Sequence, residues 1–383
     1  MNTQFKIILI VLLLIVTTSM FANWQDLTAQ GKKDLRSANM HFGGKRIEKA
    51  LPLYESVLED NPNHIETLEK VAGIYFDEKK DYLKANDFYE IIINSINEKL
   101  SEYEELKATD EKEAKKVYKK EIKKYDLDMR LESAIKFKGY CWTKLFLKAQ
   151  KKFQNEDYEN AIIDFNIVYD IAPDSIKTIK MISYVYNKMG NSDKSLEYMI
   201  KAAELDPTDD MARTQIANTY FEIADKDSIN DYGKAIEWYE KAAEINAENV
   251  DNYYNIALAY SKAKNDTGAV AAFKKVVDLD STNIYSIINV SNLTFKLGNI
   301  SESIKYLKMA IEIEPENVSY LGSLCGKLFQ EKKHDELIGY GQKWYNAETG
   351  NKQIPAQYVY QAAKSTGNKE IEKKFEKILR ELQ

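Results

Sequence analysis

Residues 250–283 read VDNYYNIALAYSKAKNDTGAVAAFKKVVDLDSTN. Tyr253, Ile256, Ala257 and Tyr260 stand at i, i+3, i+4 and i+7, which lines one face of a helix with apolar side chains. Lys264, Asn265, Asp266 and Gly268 then make a turn. Ala269, Phe273, Val276 and Val277 set out the stripe of a second helix. Neither helix can bury its stripe alone, so each pair must pack on its neighbours.

The same pair recurs on both sides. A small residue followed four positions later by a large apolar one is found at Ala50 and Tyr54, Ala85 and Tyr89, Ala161 and Phe165, and Ser195 and Met199. It returns at Ala235 and Tyr239, Ala269 and Phe273, and Ser303 and Leu307. From Ala235 to Ala269 to Ser303 both steps are 34 residues. A fixed period of that size means an array of repeats and not one globular core.

The pattern resembles the tetratricopeptide repeat, a helix–turn–helix unit of about 34 residues. Tyr75, Tyr186, Tyr220 and Tyr260 hold its tyrosine position, Gly190 and Gly298 its turn glycine, and Pro62, Pro173, Pro207 and Pro315 its late proline. The resemblance implies an all-α fold, a right-handed α-solenoid of about nine helix–turn–helix repeats. It covers residues 31–99 and 142–317, with two degenerate capping units at 318–351 and 352–383 that lack the small residue opening the second helix. Residues 222–234 hold about six extra residues between two helices, which predicts a longer loop.

No repeat fits residues 100–141. The second helix of unit 65–99 is expected to run on to about Lys107, turn near Asp110, and return as a Lys-rich helix into Trp142. Asp110 and Glu113 make a plausible capping pair. That is one protruding, charged helical hairpin; a divergent extra repeat is the alternative. The domain plan is thus residues 1–22, 23–99, 100–141, 142–317 and 318–383.

The first residues differ from the rest. Lys6 precedes an apolar run at 7–16, and small residues end at Ala22. This reads as a signal peptide cleaved after Ala22, which implies export to the cell envelope, periplasmic or extracellular. The alternative is an uncleaved N-terminal anchor that keeps the chain at a membrane. The run is short for a span, which needs about 20 apolar residues. Charged residues are 30% of the 383 and the net charge is −6, so no global basic field points to nucleic acid. Cys141 and Cys325 fall in repeats far apart along the sequence and read as small buried thiols.

No catalytic or metal constellation is evident. His41, His64 and His334 have no partners at metal-ligand spacing, and no glycine-rich phosphate loop or nucleophile elbow occurs. The expectation is no enzyme, no cofactor and no metal. The resemblance implies instead a concave groove lined by the first helix of each unit. At its lining positions stand Phe42, Phe153, Phe221 and Phe295, the asparagines Asn39, Asn218 and Asn292, and Asn255 and Asn289 beside them. Lys177 and Lys180 add positive charge. An amide can donate to and accept from a peptide backbone at once, and an aromatic ladder suits an extended or helical segment. The phenylalanines have a second reading, as packing residues of the fold. The implied function is a protein–protein scaffold with partners of unknown identity; the alternatives are a membrane-anchored assembly factor and a glycan or small-molecule binding module.

Overall fold

The computed structural model describes residues 24–226 and 231–382. Among them the chain forms 19 helices and no strand, the expected all-α repeat array. The signal-peptide reading lies outside the described residues. Two compact units are present, one ending at Val185 and the other beginning at Tyr186.

In the first unit, α1 (Ala29–Gly43) pairs with α2 (Ile47–Asp60). Helix α3 (Ile65–Gly73) is prolonged by a π turn at Ile74–Glu78. Then come α4 (Tyr82–Thr109) and α5, which runs through Glu111–Val117, a second π turn at Tyr118–Ile122, and Lys123–Tyr125. Helices α6 (Leu127–Gln154) and α7 (Tyr158–Ile171) follow, and α8 (Ile176–Lys188) spans the boundary between the units.

In the second unit the pairs are more regular. They are α9 (Ser192–Leu205), α10 (Asp210–Lys226), α11 (Gly233–Ile245), α12 (Val250–Lys262), α13 (Asp266–Leu279), α14 (Ile284–Lys296) and α15 (Ile300–Ile313). The chain ends with α16 (Val318–Gln330), α17 (His334–Ala347), α18 (Gln353–Thr366) and α19 (Lys369–Glu381).

The repeated small residues let paired helices approach closely. Ala50, Ala85, Ala161, Ala235, Ala269 and Ser303 have no exposed surface. Ser303 is polar in that apolar setting, and its hydroxyl is satisfied by the Ser291 carbonyl at 2.7 Å. The large residue four positions on is buried in each case, as at Tyr54, Phe165, Phe273 and Leu307.

Many asparagines serve as helix caps. The side chains of Asn191, Asn265, Asn283, Asn299 and Asn368 each accept the N–H three residues ahead, at 3.0–3.2 Å. A short polar side chain satisfies a donor that the helix start leaves orphaned. The turn between paired helices also has a fixed conformation. Gly190, Gly298 and Gly367 hold it with positive φ, and Lys45, Lys264 and Lys332 hold it in other repeats at φ of 54–59°.

At residues 82–125 a helical hairpin forms, with Asp110 capping α5 through the N–H groups of Lys112 and Glu113. Its tip is exposed. Its base is packed: Ile96, Ile122 and Leu127 share a core with Ile65 and Leu68. The expected single returning helix is broken at Asp126, which takes a left-handed φ of 52°. Positions 99/100 and 141/142 fall inside α4 and α6, so the insertion is continuous with the helices that flank it.

In the last repeats a buried Leu337 stands where the earlier units have alanine or serine. Close approach is supplied elsewhere. A Cβ on Gly341 would lie 2.6 Å from Val359 Cγ2. Cys141 and Cys325 are buried free thiols, both pushed up to about 12 by burial, and so are poor nucleophiles. Among the described residues no helix is long and apolar enough to cross a membrane.

Candidate binding surface

The expected groove residues divide between the two units. In the first, Asn39 is occupied: the Tyr54 hydroxyl donates to its Oδ1 at 2.6 Å. Phe42 lies 6.2 Å from the Tyr54 ring, edge to face, with Lys70 Nζ over its own ring at 5.3 Å. Phe153 packs on Tyr158 at 5.6 Å. Lys177 is exposed and lies over the Phe146 ring at 4.4 Å, while Lys180 is half-buried.

In the second unit, Asn218 repeats the arrangement of Asn39 and accepts from the Tyr239 hydroxyl. Burial pushes that tyrosine up to about 12, which keeps it protonated and donating. Phe221 packs on Tyr232 at 5.2 Å. Like Phe153, it faces an aromatic near the start of its own second helix. These phenylalanines close the turn of their units.

The remaining residues are more open. Asn292 is exposed and Asn255 half-buried, and neither side chain bonds another described residue. Asn289 donates to the Tyr285 carbonyl at 2.8 Å, which leaves its Oδ1 available. Asn292 differs from Asn39 and Asn218 for a simple reason. The residue that carries tyrosine in those two repeats is Leu307 here, with no hydroxyl to offer. Tyr285, Asn289 and Asn292 stand at i, i+4 and i+7 on one face of α14, and Tyr285 is 73% exposed.

Beyond them runs a strip that begins at Phe295, one of the expected lining residues. Phe295, on α14, is exposed, and Lys327 of α16 places Nζ 4.4 Å from its ring centre. Burial holds the Lys327 ammonium below the usual lysine range. On the same helix Phe329 is exposed and meets Tyr358 of α18 edge to face at 5.7 Å. An open cleft of about 370 Å3 lies there, lined by Phe329, Ile354, Tyr358, Gln353, Gln357 and Gln361. The glutamines recur every four residues on one face of α18, all exposed, and no side-chain bond ties them to another described residue. That spacing was the available signal, hidden in a stretch that reads as degenerate.

The strip offers aromatic and aliphatic surface, one partly buried cation, and amides able to donate and accept. It fits an extended peptide better than a reaction centre. Among the described residues no three His, Cys, Asp or Glu side chains are grouped to hold a metal ion.

Comparisons with known proteins agree with the repeat reading. The family model described as "Tetratricopeptide repeat" matches residues 181–209, 250–283 and 285–317, and one described as "TPR repeat" matches 228–264. A CTR9 homolog of Arabidopsis thaliana is 36% identical over 56 residues, which is 15% of this chain and 5% of that protein's length. Among solved structures, a MamA protein aligns at 23% identity over 47% of this chain and 94% of its own, with a TM-score of 0.40. YrrB, described as "a TPR protein with an unusual peptide-binding site", aligns at 15% identity over 52% and 97%, with a TM-score of 0.37.

Proposed function

We propose that this chain, a tetratricopeptide-repeat protein, is a non-catalytic interaction scaffold that receives an extended segment of a partner protein along its α14, α16 and α18 helices. The observation that carries the reading is the strip in which exposed Phe295 and Phe329 meet half-buried Lys327 and Tyr358, with the three exposed glutamines beside it. Large apolar groups left in contact with water next to unpaired amides mark a surface that is completed by a ligand. A peptide would place apolar side chains on Phe329 and Ile354. Its backbone groups would pair with Gln353, Gln357 and Gln361. The Lys327 ammonium favours an acidic side chain close to Phe295. The glycan reading asks for a deep aromatic pocket, and the cleft here is open.

The place of action in this reading is outside the cytoplasm, reached through residues 1–22. The basic residue, the apolar run and the small residue at Ala22 support it.

Peptides displayed on phage and selected against the full chain test the site. Selection should return sequences with an aromatic or aliphatic residue, and Phe329→Ala with Gln357→Ala should reduce their binding at least tenfold. The same peptides bound equally by the double variant would overturn the assignment. Sequencing the N-terminus of chain isolated from its native cell tests export: a start at Asn23 supports cleavage, and an intact Met1 overturns it.

A further inference from the structure

We infer that the segment received by the strip is an acid-bearing β-strand, gripped through its backbone at three alternate residues by Gln353, Gln357 and Gln361. This rests on the peptide-binding reading of the strip and adds the conformation, register and charge of what binds there.

The glutamines stand at i, i+4 and i+8 of α18, all exposed, and their side chains bond no other described residue. Four residues of helix rise about 6 Å, so the row spans about 12 Å. The tip of each side chain holds an acceptor and two donors. In a strand the N–H and C=O of one residue point to the same side, so one glutamine accepts from the first and donates to the second. The next residue to face that side comes two later, about 6.6–6.8 Å on. Across three glutamines the strand and the row differ by only about 1.4 Å, which flexible side chains absorb.

Other backbone shapes miss this row. A polyproline II segment turns the same side to the row every third residue, about 9.3 Å on, and across three contacts it overshoots by about 7 Å. Proline also has no N–H to give. An α-helix uses its own N–H and C=O groups internally along its middle.

The floor beside the row is apolar. Ile354 is 49% exposed, and Phe329 meets Tyr358 edge to face at 5.7 Å, all within the same open cleft. A strand with its edge on the glutamines lays one face on that floor, so its apolar side chains recur at every second residue. Cations border the cleft. Lys364 follows Gln361 by three residues on the same face of α18, exposed and without an ion pair to another described residue. Lys327 is likewise unpaired, held over the Phe295 ring at 4.4 Å. Residues 318–366 carry six lysines against four acidic residues, in a chain whose net charge is −6. A carboxylate on the bound segment supplies the missing counter-charge.

The probe is a peptide returned by selection on the full chain, resynthesised with each backbone N–H replaced in turn by an ester oxygen. Fluorescence anisotropy should show three sensitive positions, each two residues from the next and each losing about fivefold, as for one hydrogen bond. The residues between them should lose less than about twofold. In Gln357→Ala the middle position should become insensitive while the outer two keep their loss. Losses spread evenly, or recurring at every third residue, would overturn the inference and leave the strip a peptide site, because Phe329→Ala would still weaken binding. A selection that returns no binder, or binders indifferent to Phe329→Ala, removes the peptide reading and the inference with it. Selected peptides should also carry Asp or Glu, and exchanging it for its amide should weaken binding at least threefold at about 0.05 M salt and less than twofold at about 0.5 M. Peptides without an acid, or an exchange without effect at low salt, would overturn the acidic assignment.

Discussion

Helices α12 and α13 have 13 and 14 residues, whereas α4 and α6 have 28 each. Both sets are paired helices of one chain, and they are held together differently. In α12 and α13 every turn finds a neighbour, because another pair arrives each 34 residues. Ala257, Ala269, Phe273 and Ile287 share one buried cluster. A 28-residue helix is about 42 Å long, and its far half outruns the repeat. There the core of the first unit ends near Ile96 and Ile122. Beyond it lie a tilted pair, Tyr103 with Tyr118, and the ion pairs of Lys99 with Glu102 and Glu121. Periodicity is written into a sequence only where packing partners return periodically.

The largest effect is expected in the regular pairs. Phe273 is fully buried and meets Tyr254 edge to face at 5.9 Å. Phe273→Ala should cost about 3–5 kcal/mol in urea unfolding followed by circular dichroism. Because coupling passes between nearest neighbours, hydrogen exchange should rise first in α12 to α15. A cost under about 1 kcal/mol would show that the regular array is loosely packed.

Single-residue deletions sharpen the contrast. The step from Ala50 to Ala85 is 35 residues where the regular step is 34. The extra residue is taken up by the π turn at Ile74–Glu78, since such a turn is an α-helix with one residue inserted. Deleting the exposed Asp77 should convert it to ordinary helix at a cost below about 1 kcal/mol. Deleting Ser261 in α12, where no π turn exists, would rotate the following turn against its neighbours and cost about 3 kcal/mol or more. Equal costs would break the explanation of the longer step.

A half-buried carboxyl in α4 makes that helix sensitive to pH. Burial pushes Asp87 up to about 6 from an ordinary 3.8. The folded state therefore keeps a proton that the unfolded state releases between those values. Stability from this group is fully present below about pH 4 and is lost as pH rises through about 6. Asp87→Asn should then stabilise the chain by about 1–3 kcal/mol at pH 8, with the gain vanishing near pH 4. His64 works in the opposite sense, since burial lowers its pKa and costs stability below about pH 6.5. Taking the difference between variant and parent at each pH removes that background.

Tyr239→Phe tests the tie between helices of one repeat. It deletes the donor to Asn218 and should cost about 1 kcal/mol, as for one hydrogen bond at a half-buried acceptor. The same change at a tyrosine without such a partner, Tyr285, should cost nothing measurable.

The repeat itself was legible because alanine and serine at fixed steps have one physical use, close approach of two helices. The turn at Asp110 followed from capping chemistry, whereas of the expected loop at 222–234 residues 222–226 extend α10 and 233–234 open α11. The break at Asp126 was not legible, since aspartate in a left-handed turn looks like any acidic residue in a Lys-rich run. The asparagines were legible only in part. Asn39 and Asn218 look like groove residues until tyrosines 15 and 21 residues later are seen to reach them. The glutamine face of α18 was not legible because the last two units lose the small residue that marks the repeat, with Leu337 and Ile371 in its place.

The smallest effect concerns the turn between paired helices, where the repeats disagree in sequence and agree in shape. Gly298 has φ of 84° and Lys264 has φ of 59° at the equivalent place. A side chain with a Cβ holds that conformation at a cost of about 1–2 kcal/mol relative to glycine. Glycine in turn gives up more freedom on folding, by about 0.4–1 kcal/mol. Lys264→Gly should therefore stabilise the α12 and α13 pair by about 0.5–1 kcal/mol, and Gly298→Lys should destabilise its own pair by a similar amount. Thermal unfolding of the two variants gives both signs. Shifts in the same direction would mean that the lysine stem contributes packing that outweighs its backbone strain, and the turn lysines would then belong to the fold's stability.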